Sequence, residues 1–105
     1  MKSHGISQNA LDKIKDFLFS SQSVKEVILY GSRAKGNYKE GSDIDLTIKG
    51  SLVFEDLAKL SAALDNLNLP WKIDLSLYSY ITNEELLDHI DRIGITIAQK
   101  HTLTP

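Results

Sequence analysis

The stretch of sequence that decides the fold, residues 27–48, reads V-I-L-Y-G-S-R-A-K-G-N-Y-K-E-G-S-D-I-D-L-T-I. It opens with four consecutive apolar residues, 27–30, which indicate a buried strand. This strand stops at Gly31 and Ser32. After ten further residues, the run 43–48 alternates polar and apolar side chains, which is typical of a half-buried strand. The stretch therefore predicts two strands that are separated by a glycine turn and a loop.

Asp43 and Asp45 are unusual residues for the second of these strands, because aspartate is depleted in strands. Side chains two positions apart in a strand point to the same face. The two carboxylates are therefore neighbours, and like charges at that distance repel and raise a pKa. A divalent cation is the simplest group that offsets this cost, and paired carboxylate oxygens suit Mg²⁺.

Gly31 and Ser32 form the second unusual feature. Glycine lets the backbone turn sharply and lets a ligand approach closely, and serine is a good N-cap for a short helical segment over residues 33–35. A helix N-terminus after a glycine turn suits an anion, and Arg33 and Lys35 add positive charge beside it. These features predict a phosphate cradle next to a metal-binding carboxylate pair. A nucleoside triphosphate bound through its metal would satisfy both.

Either motif alone is ordinary, because Gly-Ser is a common turn and Asp-x-Asp is often a solvated edge-strand face. In this order, each at a strand end, they resemble the signature of the DNA polymerase β-type nucleotidyltransferase superfamily. The text G-S-R-A-K-G…G-S-D-I-D-L is most similar to the minimal nucleotidyltransferase (MNT) branch. The ten residues between Ser32 and Asp43 match the gap in MNT antitoxins that are paired with HEPN toxins. The resemblance covers nearly the whole chain.

Length and composition set the outer limits of the interpretation. A chain of 105 residues is expected to form a single domain, residues 1–105. Its apolar content of 42% and charged content of 25% are ordinary for a globular protein. A net charge of −2 gives no basic field for general nucleic-acid binding. No signal peptide and no membrane-spanning run is recognised, so we expect a cytoplasmic protein that does not act at a membrane.

Residue types that often bind metals through sulfur or nitrogen are scarce. The chain has no cysteine, which excludes disulfides and thiolate zinc sites and fits a reducing compartment. His4, His89 and His101 are scattered without ligand spacing. We predict surface or local hydrogen-bonding roles for these three histidines.

Apolar periodicity predicts the remaining elements and the fold class. Residues 82–93 are expected to form a helix that begins with a capping box of Thr82 and Glu85, and residues 95–97 form either a last strand or a helical tail. The alternation of helices and strands predicts an α/β domain. The resemblance implies a polymerase β-like fold, with a small mixed sheet and helices packed on one side. The other predicted elements are helices over 7–21 and 54–67 and strands over 25–30 and 71–78.

Asp74 is the candidate for a third carboxylate. It lies on the polar face of the predicted strand 71–78, because Ile73 and Leu75 should point the other way. If this strand lies beside the strand of Asp45, three carboxylates share one sheet face and could bind two divalent ions. The resemblance places a third carboxylate on a later strand at this position. It implies that Asp74 completes the catalytic metal site and helps to activate the acceptor hydroxyl.

The resemblance also implies a reaction. A nucleoside monophosphate, expected to be AMP from ATP, moves to a hydroxyl group and pyrophosphate leaves. Asp43 and Asp45 are expected to bind two Mg²⁺ ions, while Gly31 and Ser32 hold the distal phosphates and Arg33 steadies the charge on them. Catalysis of this kind comes mainly from positioning and charge stabilisation.

The acceptor implied by the resemblance is a tyrosine of a HEPN-type toxin, which would make the chain an antitoxin. Larger superfamily members carry an extra helical domain that holds the acceptor, and 105 residues leave no room for one. A partner chain is therefore expected to supply the acceptor pocket. A homodimer and a hetero-oligomer both remain open.

Two other functions remain open. The chain could be a non-catalytic nucleotide-binding subunit that neutralises or regulates a partner by contact, although a binding module has no need of three carboxylates on one face. It could also transfer nucleotides to a small molecule, as aminoglycoside-modifying relatives do. The missing acceptor domain counts against that activity.

Overall fold

The computed structural model describes residues 4–99 of the chain. Every helix within this range is too short or too polar to cross a membrane. The prediction for His101 lies outside the described residues. The elements in chain order are α1 (Gln8–Leu18), β1 (Val24–Tyr30), α2 (Ser32–Lys35), β2 (Ile44–Gly50), α3 (Phe54–Asp65), β3 (Ile73–Leu77), a 3₁₀ turn (Tyr78–Tyr80), α4 (Glu84–Ile93) and β4 (Ile95–Gln99).

The four strands form one sheet in the order β3-β2-β1-β4. Strand β1 is antiparallel to both β2 and β4, whereas β2 and β3 run parallel. Parallel neighbours need a crossover connection, and α3 provides it. The predicted mixed sheet is confirmed. The open alternative for residues 95–97 is decided in favour of a strand, because β4 pairs along the edge of β1.

Alternation along the strands gives the sheet two different faces. Val27 and Leu29 of β1, both fully buried, point to the face that α1 and α3 cover. The helices contribute Ile14 and Leu18 from α1 and Leu64 from α3, all of them at most 2% exposed. Burial of an aliphatic side chain stabilises the fold by roughly 1.5–3 kcal/mol. This apolar layer therefore holds the sheet that carries the site.

The opposite face is covered in part by α4, which differs from the predicted arrangement with helices on one side only. Ile90 of α4 packs against Ile28 and Tyr30 of β1 in a smaller apolar cluster. Ile28 and Tyr30 alternate with the core residues of β1 and therefore form an apolar patch on the opposite face, which must be shielded from water separately. The amphipathic helix α4 supplies that cover.

Two helix starts show where local prediction succeeded and failed. Ser7 caps α1, and its Oγ accepts a hydrogen bond from the Ala10 amide at 3.2 Å. The predicted capping box at Thr82 is wrong, because Asn83 is the N-cap of α4 and accepts from the Leu86 amide at 3.0 Å. Asparagine is at least as good an N-cap as threonine, so the helix begins one residue later than predicted.

Candidate active site

The three predicted aspartates lie at one end of the sheet, on the face that α4 partly covers. Asp45 of β2 pairs with Tyr30 across the antiparallel ladder and with Asp74 of β3 across the parallel one. Asp43 precedes β2 by one position and shares the face of Asp45 by alternation. The structure thus places Asp74 beside Asp45, as the predicted order of strands requires.

The electrostatics of Asp45 show that these carboxylates share one field. Burial is the main cause that raises the pKa of Asp45, because it disfavours the charged form. The negative charges of Asp74 and then Asp43 raise it further. The aspartates are therefore close enough to repel one another.

Gly31 lies at the point where the turn packs against the Asp45 carboxylate. Its backbone has φ 78° and ψ −156°, a conformation that L side chains rarely adopt. A Cβ at this position would overlap Oδ2 of Asp45. Glycine is thus required twice, once for the backbone angle and once for the space in front of Asp45.

Ser32 differs in one detail from its predicted role. Gly31 occupies the N-cap position of α2, and Ser32 is the first residue of the helix rather than its cap. The Ser32 carbonyl accepts from the Gly36 amide at 2.9 Å, which closes the short helix. Ser32 is partly exposed and directly follows Gly31.

His89 is the site residue that sequence reasoning missed. It belongs to α4, yet its Nε2 accepts a hydrogen bond from the Gly31 amide at 2.9 Å. The imidazole also meets the Tyr30 ring edge-on, with ring centroids 6.2 Å apart and an interplanar angle of 75°. A signal was available, because His89 follows Leu86 by three positions and therefore lies on the inward face of the helix.

Arg33 is placed away from the predicted phosphate contact. It is 2% exposed, and its Nε and Nη2 donate to the Ser42 carbonyl at 3.1 and 2.9 Å, while Nη1 donates to the His4 carbonyl at 2.9 Å. The guanidinium also lies over the Tyr38 ring at 4.8 Å. Arg33 fastens the loop before Asp43 to the segment before α1. This placement gives no support to a role of Arg33 on the phosphates.

Comparison with known families identifies the domain. A family model described as "Polymerase beta, Nucleotidyltransferase" matches residues 12–102. The chain belongs to this nucleotidyltransferase family.

Two relatives of this chain are named as protein adenylyltransferases. The chain is 34% identical over 73 residues to the Haemophilus influenzae protein "Probable protein adenylyltransferase MntA", and the match covers 68% of this chain and 63% of that protein. The chain is also 39% identical over 56 residues to a Methanocaldococcus jannaschii protein that is likewise named as a protein adenylyltransferase. This match covers 49% of this chain and 56% of that protein. The matches span less than two thirds of either relative.

Solved structures with the same nucleotidyltransferase fold include toxin–antitoxin complexes. A chain of a toxin–antitoxin complex with AMP-PNP gives a TM-score of 0.70 at 18% identity, covering 90% of this chain and 75% of that one. A complex of a tri-AMPylated Shewanella oneidensis HEPN toxin with an MNT antitoxin gives a TM-score of 0.70 at 18% identity, covering 90% and 74%. At this identity the likeness shows the fold alone.

The donor set of this nucleotidyltransferase domain fits a hard divalent cation. Carboxylate oxygens are the ligands that Mg²⁺ prefers. Burial and then the charges of Asp74 and Asp43 raise the pKa of Asp45, and a bound cation would oppose this effect by favouring the charged carboxylate. Within residues 4–99, no three His, Asp or Glu side chains converge on a single point that could hold a metal. Asp45 and Asp74 are in register and the charge of Asp43 acts on Asp45, so these three aspartates are the residues that would hold such a cation.

Proposed function

We propose that this chain is a nucleotidyltransferase that moves AMP from ATP to a hydroxyl, namely a tyrosine of a HEPN-type toxin, and that it acts as an antitoxin. The observation that carries the proposal is the register of Asp45 with Asp74, directly beside the Gly31 turn. Asp45 of β2, Asp74 of β3 and the Gly31 turn thus meet at one end of the sheet. The names of the adenylyltransferase relatives support the same activity.

Each residue of the site has a role in this reaction. Asp43 and Asp45 would hold Mg²⁺, and Ser32 would orient the distal phosphates of the nucleotide. Bound Mg²⁺ neutralises phosphate charge and lowers the pKa of a coordinated hydroxyl. The acceptor oxygen attacks the α-phosphorus, its new P–O bond replaces the bond to pyrophosphate, and pyrophosphate leaves. Asp74 is exposed and would receive the acceptor proton.

The position of Asp74 also favours a protein acceptor. Strand β3 is an edge of the sheet, so Asp74 is open to an approaching chain, whereas Asp45 is half-buried between β1 and β3. A tyrosine delivered by a partner would reach Asp74 without displacing any element. The complex of an AMPylated HEPN toxin with an MNT antitoxin supports this choice of partner. We further propose that residues 1–105 act as one domain, in a hetero-oligomer with that partner and in the cytoplasm.

Labelled nucleotide transfer tests the proposal. The purified chain is incubated with Mg²⁺, ATP labelled at the α-phosphate, and the HEPN protein encoded beside it. We expect label on the partner and an intact-mass gain of one AMP group per modified tyrosine. Asp45→Asn should abolish the label, whereas Asp65→Asn, an exposed aspartate at the end of α3, should retain it. Equal transfer by wild type and Asp45→Asn would contradict the proposed function.

A further inference from the structure

The backbone amide of Gly31 is already occupied. Its N–H donates to Nε2 of His89 at 2.9 Å, and the two residues are 58 positions apart in the chain. An Nε2 that accepts a hydrogen bond carries no proton, so the imidazole proton is on Nδ1. Gly31 therefore offers no backbone donor to a phosphate in this arrangement, and Ser32 is the residue of the turn left to do so.

The position of His89 is fixed on two sides. Its helix is anchored by Ile90, which is 2% exposed and packs against Ile28 and Tyr30. The imidazole meets the Tyr30 ring edge-on, and Tyr30 pairs directly with Asp45. The acceptor on His89 is thus held in a constant position relative to the strand that carries the carboxylate.

Gly31 needs such an acceptor for a physical reason. Glycine has the widest choice of backbone conformations, so a turn that depends on glycine is poorly defined unless another group fixes it. Phosphoryl transfer depends on the positions of the phosphates relative to the metal ligands, and groups at such sites must be held within about 0.5 Å. One hydrogen bond from a braced imidazole would hold the Gly31 peptide at the angle that Ser32 needs.

We propose that His89 is a positioning residue of the phosphate cradle, which occupies the Gly31 amide and thereby fixes Ser32 relative to Asp45. This inference rests on the proposed function. It makes α4 part of the site through a side chain that contacts the Gly31 turn.

Two substitutions separate this role from simple packing. His89→Phe keeps an aromatic ring against Tyr30 but removes the acceptor, whereas His89→Gln supplies a side-chain oxygen at a similar reach. Glu85→Gln, on the exposed side of the same helix, is the matched control. Each variant is first compared with wild type by thermal melting, so that loss of fold is recognised.

The first measurement does not use activity. Hydrogen exchange by NMR on ¹⁵N-labelled protein should show a protected Gly31 amide in wild type, Glu85→Gln and His89→Gln. In His89→Phe the exchange should be about tenfold faster, which corresponds to the loss of one hydrogen bond. Fast exchange of Gly31 in the wild-type protein would overturn the proposal, even if His89→Phe failed to fold.

The second measurement compares transfer with nucleotide binding. His89→Phe should lower kcat about tenfold or more while the affinity for a non-hydrolysable triphosphate changes by less, and His89→Gln should restore most of kcat. Equal losses in His89→Gln and His89→Phe, or no loss in either, would overturn the positioning role. If the wild type transfers no nucleotide although the Gly31 amide is protected through His89, the proposed function fails. The positioning role is then decided by triphosphate affinity alone, and equal affinities of His89→Phe and His89→Gln would overturn it.

Discussion

Gly31 and Asp45 are in direct contact, because the Gly31 Cα lies so close to Oδ2 of Asp45 that any Cβ would overlap the carboxylate. The Gly31 turn and the Asp45 carboxylate are thus one packed unit. A side chain added at residue 31 would have to displace the carboxylate. This contact gives a physical reason why the two sequence motifs occur together at one end of the sheet.

Substitution of Gly31 should therefore damage both parts of the site. Gly31→Ala places a side chain on a positive-φ backbone and into Asp45, and should lower the free energy of unfolding by about 1–3 kcal/mol. Affinity for a non-hydrolysable triphosphate with Mg²⁺ should fall as well. Chemical denaturation and calorimetry measure the two effects. Gly41→Ala is the matched control, since no atom lies within 4 Å of a Cβ there; similar behaviour of the two variants would contradict the packed unit.

Asp45 should cost stability at neutral pH when Mg²⁺ is absent. Its pKa in the folded protein is raised above the ordinary value of 3.8, chiefly by burial. Between those two values the folded state binds more protons than the unfolded chain, so stability falls as the pH rises through that window. Asp45→Asn should therefore be more stable than wild type at pH 7, by less than about 1 kcal/mol because solvent screens the pair.

Measurements at low pH provide the control for Asp45→Asn. Denaturation curves in a chelator should converge as the pH is lowered below 3.8, where Asp45 is protonated in both states. Added Mg²⁺ should then stabilise wild type more than the variant at pH 7. A wild type that is the more stable protein in chelator at pH 7 would contradict a pKa of Asp45 that burial and the neighbouring carboxylates raise.

Substitution of Asp74 distinguishes an enzyme from a non-catalytic binding subunit. It lies on the edge strand, so it should contact the acceptor and the metal more than the triphosphate. Asp74→Asn should keep partner binding and much of the nucleotide affinity but lose transfer about a hundredfold or more. Co-expression with the partner and the partner's intact mass are the measurements. Full neutralisation by Asp74→Asn without added AMP would falsify the catalytic interpretation and favour neutralisation by contact.

Arg33 should matter for stability rather than for nucleotide binding. Arg33→Lys keeps the charge but cannot reproduce the paired contact of Nε and Nη2 with the Ser42 carbonyl. The loss should be about 1.5–3 kcal/mol, the range for a hydrogen bond to a charged group. At a temperature where the variant is folded, calorimetry should give a nearly unchanged triphosphate affinity. A large loss of triphosphate affinity in the folded Arg33→Lys variant would support the predicted contact between Arg33 and the phosphates.

Features with a local cause could be predicted from the sequence. The period of two along a strand was enough to assign Asp45 and Asp74 to polar faces, and the Gly-Ser and Asp-x-Asp motifs located the strand ends. The structure adds that the two strands are parallel neighbours in register. Local patterns therefore predicted the aspartates of the candidate site, and the pairing of β2 with β3 makes Asp45 and Asp74 neighbours.

Features that depend on tertiary packing could not be predicted in the same way. His89 and Gly31 are 58 residues apart, and only the docking of α4 on the second face of the sheet brings them together. Arg33 follows the turn directly, which suggested a phosphate ligand, but packing turned it toward the Ser42 and His4 carbonyls. A charged residue next to a motif can serve the fold of the motif rather than its ligand.

The parallel pairing of β2 with β3 has a consequence for the growing chain on the ribosome. The turn at Gly31 and the aspartates of β2 are made early, and β1 and β2 can pair as soon as both have emerged. Asp74 and His89 are made later, and Asp74 reaches its neighbour only after the α3 crossover has formed, a slow, non-local step. A nascent or truncated product can thus carry the recognisable motif while remaining unable to modify anything. Under the proposed function, the site would be complete only after residue 89 has been made and β3 has paired with β2.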